Sequence, residues 1–123
     1  MTHNFENLDV WKKGCDLAVD VCVTSHHSKQ FALKDQIQRA AISIPSNIAE
    51  GAERGSPKEF IKFLGYSQGS CGELRTQLTI HQRVSECLQL EPFKNTEALI
   101  EDTKTVSRMI RGLITRVEKD ATP

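Results

Sequence analysis

Arg39, Glu50, Arg54 and Glu73 are the charged residues whose spacing in this sequence best suits a polar site. Glu50 and Arg54 are four residues apart with the glutamate first, the favourable orientation for an ion pair along a helix. The four charged residues could form a binding site for an anion or a partner, while Ser43, Ser46, Asn47 and Ser70 are polar groups around Pro45 with a structural role. The competing interpretation is a structural ion-pair network that clamps neighbouring helices. A second group is cationic. Lys58 and Lys62 fall on one helix face, and Lys104, Arg108 and Arg111 on another, which could present a basic surface to phosphates. Glu59, Glu101 and Asp102 are interspersed among them, as on an ordinary solvated face. Cys22 and His26 stand four residues apart with His27 adjacent, a spacing that suggests two metal ligands. A third and fourth ligand are missing, and there is no E-x-x-H pair of the di-iron kind, so no metal is expected. No Ser/His/Asp arrangement or glycine-rich phosphate loop is recognisable. The sequence therefore predicts no catalytic residues, no cofactor and no enzymatic activity.

The bulk composition narrows the classes further. In 123 residues, sixteen basic side chains balance sixteen acidic ones, unlike a strongly basic nucleic-acid binder. A local basic patch is still compatible with that balance, and a near-neutral surface favours self-association. Aromatic residues make up 6% and glycine and proline are few, which suits helices better than a sandwich of strands. No run of about 20 apolar residues is present, and the start MTHNFENLDVWKKGC lacks a hydrophobic leader. These features predict a cytoplasmic, single-domain protein without a membrane segment. Cys15, Cys22, Cys71 and Cys87 form no C-x-x-C pair and are expected to be small core residues rather than disulfides.

Helical periodicity supplies the elements that must position these groups. Leu8, Trp11, Cys15, Ala18 and Cys22 make one seam of alternating three and four spacing, with Val10, Leu17 and Val21 as a second stripe. Leu33, Ile37, Ala40, Ala41, Ile44 and Ile48 make the next segment, ending at Gly51 or Gly55. Ser56-Pro57 with Glu59 reads as a serine cap, a first-turn proline and a capping box. The third seam runs Phe60, Leu64, Ser67, Cys71, Leu74, Leu78, His81, Ser85, Leu88; Leu90-Glu91-Pro92 stops it. His81 is expected as a hydrogen-bonded core histidine. The fourth seam is Leu99, Thr103, Val106, Ile110, Leu113, Val117, followed by a frayed Ala121-Thr122-Pro123. The expectation is an all-α, antiparallel up-down-up-down four-helix bundle with helices at about 8–25, 32–54, 57–89 and 94–119.

Pro45 interrupts this regularity. A proline inside a helix costs about 3 kcal/mol, yet the apolar register continues from Ile37 through Ile48. Either the helix restarts with Ser43 as its cap, or it continues with a kink; the unbroken register favours the kink. The carbonyl of Ala41 then needs another donor, which Ser46, Asn47 or the third helix could supply. The third helix carries its own irregularity, Gly65, Gly69 and Gly72. Each costs about 1 kcal/mol against alanine, and close packing of this stretch near Pro45, with Ser70 and Glu73 meeting polar groups there, is the expected return.

FENLDVWKKGCDLA and QIQRAAISIPSNIAEGAERGSPKEFIKFLGYSQGSCGEL together resemble the four-helix-bundle proteins encoded in 23S ribosomal RNA intervening sequences. The matching positions are Arg39, Ser43, Pro45, Ser46, Asn47, Glu50, Gly51, Arg54, Gly69, Ser70 and Glu73. The resemblance implies an antiparallel bundle, a homopentameric ring and no established enzymatic activity. It also extends, more distantly, to the accessory protein of diversity-generating retroelements, which partners a reverse transcriptase and has a basic surface. The implied functions are a nucleic-acid-associated scaffold contacting RNA or DNA, or an accessory subunit for a protein partner. A small-ligand or metal-binding bundle is the third class. Self-association has a sequence correlate as well: Val10, Leu17 and Val21 are either a surplus stripe for other copies or part of a wide core-facing one.

Overall fold

The computed structural model describes residues 4–121. After a short 3-10 turn at Phe5–Asn7 come α1 (Asp9–Ser25), α2 (Phe31–Glu53), α3 (Pro57–Cys87) and α4 (Thr96–Ala121). Every described element is helical, and the bounds lie within two residues of those expected from periodicity. Ala121 closes α4; Thr122 and Pro123 lie outside the described residues.

Local chemistry explains the boundaries. α2 ends at Glu53, and Gly55 adopts a φ of +79°, the left-handed conformation that glycine takes without a Cβ penalty. Ser56 then turns the chain into α3: its Oγ accepts the Glu59 N–H at 3.2 Å, and Pro57 occupies the first turn, where its missing N–H costs nothing. α3 closes through a left-handed residue too. Gln89 has φ 58°, and the Leu90 N–H reaches back to the Ser85 carbonyl at 2.8 Å. This is a Schellman closure with glutamine where glycine is usual. Gln89→Gly is therefore expected to stabilise the protein by about 0.5–1 kcal/mol, read as a rise in denaturant midpoint at constant m-value.

Each helix packs on its chain neighbour and α1 packs on α4, closing a four-membered bundle. Between α2 and α3 and between α3 and α4, the contacting residue numbers rise on one helix as they fall on the other. Ser67 meets Ile44 and Ser70 meets Ser43; Gln68 meets Ser107 and Arg75 meets Thr103. The core follows the expectation for α2, α3 and α4, with Ile37, Ile44, Ile48, Phe60, Leu64, Leu74, Leu78, Leu99, Val106 and Ile110 all buried, but Leu33, expected to open the α2 seam, is only half-buried. Each such side chain contributes about 1.5–3 kcal/mol through removal from water. Leu88, expected to end the third seam, is instead exposed because the helix stops at Cys87.

α1 corrects the sequence reading. Its buried residues are Val10, Gly14, Leu17, Val21 and Ser25 with Ala18 of the expected seam, whereas Leu8, Trp11, Cys15 and Cys22 are only half-buried. Val10, Leu17 and Val21 are 5%, 2% and 1% exposed, so they fill the core and offer no stripe to another copy. The reason is Gly14. A Cβ there would lie 3.5 Å from Ile44 Cγ2 and from Pro45 Cβ, so α1 meets α2 through a residue that an apolar count passes over. The 3-10 turn was not anticipated either. It brings the Phe5 ring edge-on to Trp11 at 5.3 Å, over the half-buried side of α1.

Candidate functional site

α2 is one helix through Pro45, whose ring is buried in the bundle. Side-chain donors gather around it. Ser43 Oγ donates to the Ala40 carbonyl at 2.9 Å, Asn47 Nδ2 donates to the Ser43 carbonyl at 2.9 Å, and Ser67 Oγ donates to the Ile44 carbonyl at 2.7 Å. They serve Ala40, Ser43 and Ile44, not the Ala41 carbonyl that the missing N–H was expected to leave open. Ser43 and Ser70 hydroxyls lie 2.6 Å apart; with Ser43's proton given to Ala40, Ser70 is the donor of that pair. Small hydroxyl side chains thus line the α2–α3 contact and satisfy it internally. Ser46 is exposed.

The charged members of the motif do not converge. Arg39 pairs with Asp35 of its own helix at 2.9 Å, and Glu50 with Arg54 at 2.9 Å, all four exposed. Eleven residues separate Arg39 from Glu50, about 16 Å along the helix, so the expected four-residue clamp is absent. Arg39, Ser43 and Glu73 share one polar surface groove between α2 and α3 with Gln36 and Gln77. Arg54 lies over the Phe63 ring at 4.9 Å, a cation–π contact that ties the end of α2 to α3.

The glycines redistribute roles in an unexpected way. A Cβ at Gly65, Gly69 or Gly72 would meet nothing within 4 Å, so these positions face solvent instead of packing near Pro45. Ser67 and Ser70 take the α2-facing side of α3, and helical geometry sends the glycines to another side. Gly51 is the tightly packed one: a Cβ there would stand 2.7 Å from Phe63 Cβ and 3.2 Å from the Phe60 carbonyl. The open glycines lie on α3, which packs on α4. Given the Gln68–Ser107 and Arg75–Thr103 contacts, Arg111 is level with Gly65 and Lys104 with Gly72. Lys58, Lys62, Lys104, Arg108 and Arg111 are all exposed. Lys62 pairs loosely with Glu59 at 3.8 Å and Lys104 with Glu101 at 3.4 Å, while Arg108 donates to Thr105 at 3.3 Å. Sequence reasoning found the cations but placed the glycines in the packed interior.

Other chemistry is sparse among the described residues. No group of three or more His, Cys, Asp or Glu side chains is placed to hold a metal ion. Cys22, His26 and His27 line one shallow surface pocket with Val23. All four cysteines are free thiols. Cys71 is buried and its pKa is pushed up to about 11 by that burial, but Cys87 is exposed, contrary to its expected core position. An apolar cavity of about 50 Å³ lies between the end of α2, the start of α3 and the end of α4. Ligand pockets are usually about 300 Å³ or more, so this cavity cannot enclose a cofactor. No described helix is long and apolar enough to cross a membrane.

A family model described as 23S rRNA-intervening sequence protein matches residues 6–112. Among curated proteins none matches. The chain is similar in fold to a solved structure of a protein with unknown function from the S23 ribosomal protein family of Bacteroides thetaiotaomicron VPI-5482. The two share 22% identity with a TM-score of 0.75, over 85% of this chain and 97% of the other.

Proposed function

The chain belongs to the 23S rRNA-intervening sequence protein family, and from that premise we propose that it is a non-enzymatic, homo-oligomeric bundle that associates with nucleic acid through the outer α3–α4 face. The observation that carries this is the open glycine row beside exposed cations. Three helix-interior glycines cost about 1 kcal/mol each and return nothing in packing. A surface without Cβ atoms lets a phosphate backbone approach the helix closely, and Lys104 and Arg111 stand level with it. The carboxylate partner of Lys104, Glu101, is exposed, and such a pair is worth about 0–1 kcal/mol, so exchange for phosphate costs little. Each copy's sixteen basic side chains are balanced by sixteen acidic ones. A ring, pentameric by resemblance, would repeat the face and gain avidity without new contacts.

Titration against a structured ribosomal RNA fragment and a DNA duplex at low and physiological salt tests this. Binding is expected, with a steep negative slope against log salt, and Lys104→Glu with Arg111→Glu should lower affinity about tenfold or more. No binding at low salt would exclude the proposal. A second reading, an accessory subunit for a protein partner, is favoured by an apolar outer surface on α1 and α2. There Val19, Val23 and Ile42 are 60%, 70% and 51% exposed. Capture of a partner that survives nuclease and is lost on Val23→Glu would support it.

A further inference from the structure

His81 is a buried titratable group that neither surface uses. It sits on α3, 2% exposed, where the connection between α1 and α2 meets the connection between α3 and α4. Its ring stacks on Phe93 with centroids 3.8 Å apart and planes 10° from parallel. Gln30 Nε2 lies 3.5 Å from His81 Nε2 and 3.2 Å from Ser85 Oγ. An amide nitrogen only donates, so the neutral ring presents Nε2 as acceptor and carries its proton on Nδ1. Nδ1 is buried without a partner, and one turn earlier on α3 the buried Gln77 Oε1 lacks one too.

We propose that His81 is an acid-sensitive latch: a proton added at Nε2 sets donor against donor, expels the Gln30 amide and releases residues 26–30 from the end of the bundle. The Phe93 face tolerates a cation, so the Gln30 contact is what breaks. The groups touching the ring, Gln30 and Phe93, are neutral, as is Ser85, which accepts from the same Gln30 amide. Around them on the α1–α2 side, His26, His27 and Lys29 are exposed, and half-buried Lys34 gives its ammonium to the His26 carbonyl at 2.7 Å. On α3 and beyond, Arg83, Glu86, Glu91, Lys94 and Glu97 are exposed as well. None is placed to neutralise a buried imidazolium. Burial alone lowers the ring's affinity for a proton below the ordinary histidine value of 6.5. Below that pH the unfolded chain binds more protons than the folded one. The stability of this end of the bundle is therefore full above about pH 6.5 and declines as pH falls toward the folded-state value.

The test is amide hydrogen exchange of residues 26–31 at about pH 7.5 and about pH 5, corrected for intrinsic rates, with an NMR titration of the His81 ring. In the wild-type protein, opening should rise about tenfold or more on acidification. His81→Phe keeps a ring against Phe93 and should remove that rise. Gln30→Glu supplies an acceptor for the charged ring, so it should raise the His81 pKa above the wild-type value and hold the connection closed in acid. Unchanged protection in the wild-type protein, equal opening in His81→Phe, or a lowered ring pKa in Gln30→Glu would each overturn the proposal. None of these readouts involves nucleic acid, so failure here leaves the α3–α4 proposal standing.

Discussion

Gly51→Ala is expected to destabilise the protein by about 2 kcal/mol, although the same change in an exposed helix would stabilise it by about 1 kcal/mol. The added methyl would stand 2.7 Å from Phe63 Cβ and 3.2 Å from the Phe60 carbonyl. Neither is the far end of a flexible side chain: one is the root of a side chain and the other is backbone. Relief therefore requires α2 and α3 to separate at this point. Overpacking of this kind costs about 1–3 kcal/mol, and the rigidity of both contacts puts this case at or above the upper end. The gain in helix propensity offsets only part of that. A chemical denaturation curve with a lowered midpoint and unchanged m-value is the expected record. An unchanged or raised midpoint would mean that the α2–α3 approach is looser than the structure shows. The damage should also reach Arg54, because its contact with Phe63 lies just beyond Gly51.

Glycine is also where the sequence is least legible. Gly14, Gly51, Gly65, Gly69 and Gly72 all sit inside helices and look alike in one dimension. Two meet neighbouring side chains and three face open space. Periodicity cannot separate them, because a glycine has no side chain to declare which face it belongs to. Gly14 shows the consequence. Passing over it leaves Val10, Leu17 and Val21 open between a stripe for another copy and part of a wide core-facing one, and burial decides for the core. Where side chains do declare a face, the pattern carries far. Leu99, Thr103, Val106, Ile110, Leu113 and Val117 are all buried on α4, and Ser56-Pro57 starts α3 at the residue its chemistry requires. Pro45 is intermediate. An unbroken register shows that the helix continues, but which carbonyls receive the nearby hydroxyls depends on how α3 is docked. The Glu50–Arg54 pair is legible from spacing alone, whereas the placement of Glu73 beside Arg39 depends on that docking. Opposite charge in a motif does not fix which turn each residue occupies against its neighbours.

The open glycines allow stability and function to be separated in one variant. Replacing Gly65, Gly69 and Gly72 together by alanine is expected to raise the unfolding free energy by about 2–3 kcal/mol, since each gains about 1 kcal/mol of helix propensity and meets nothing within 4 Å. A gain of that size is a large fraction of a typical domain's total stability of about 5–15 kcal/mol. A sequence that forgoes it on a solvent-facing side of its longest helix keeps that side smooth for another reason. If the reason is close approach of a phosphate backbone, the stabilised triple variant should bind the RNA fragment about tenfold more weakly at low salt, with Lys104 and Arg111 untouched. Its salt dependence should stay close to the wild-type slope, because the cations remain and only the distance of approach has changed. Unaltered affinity in a stabilised triple variant would remove the glycine row from the interface and return the proposal to the cations alone. A destabilised triple variant would show that the row packs against something even without nucleic acid, which in this neutral chain would point to a second copy across the α3–α4 face.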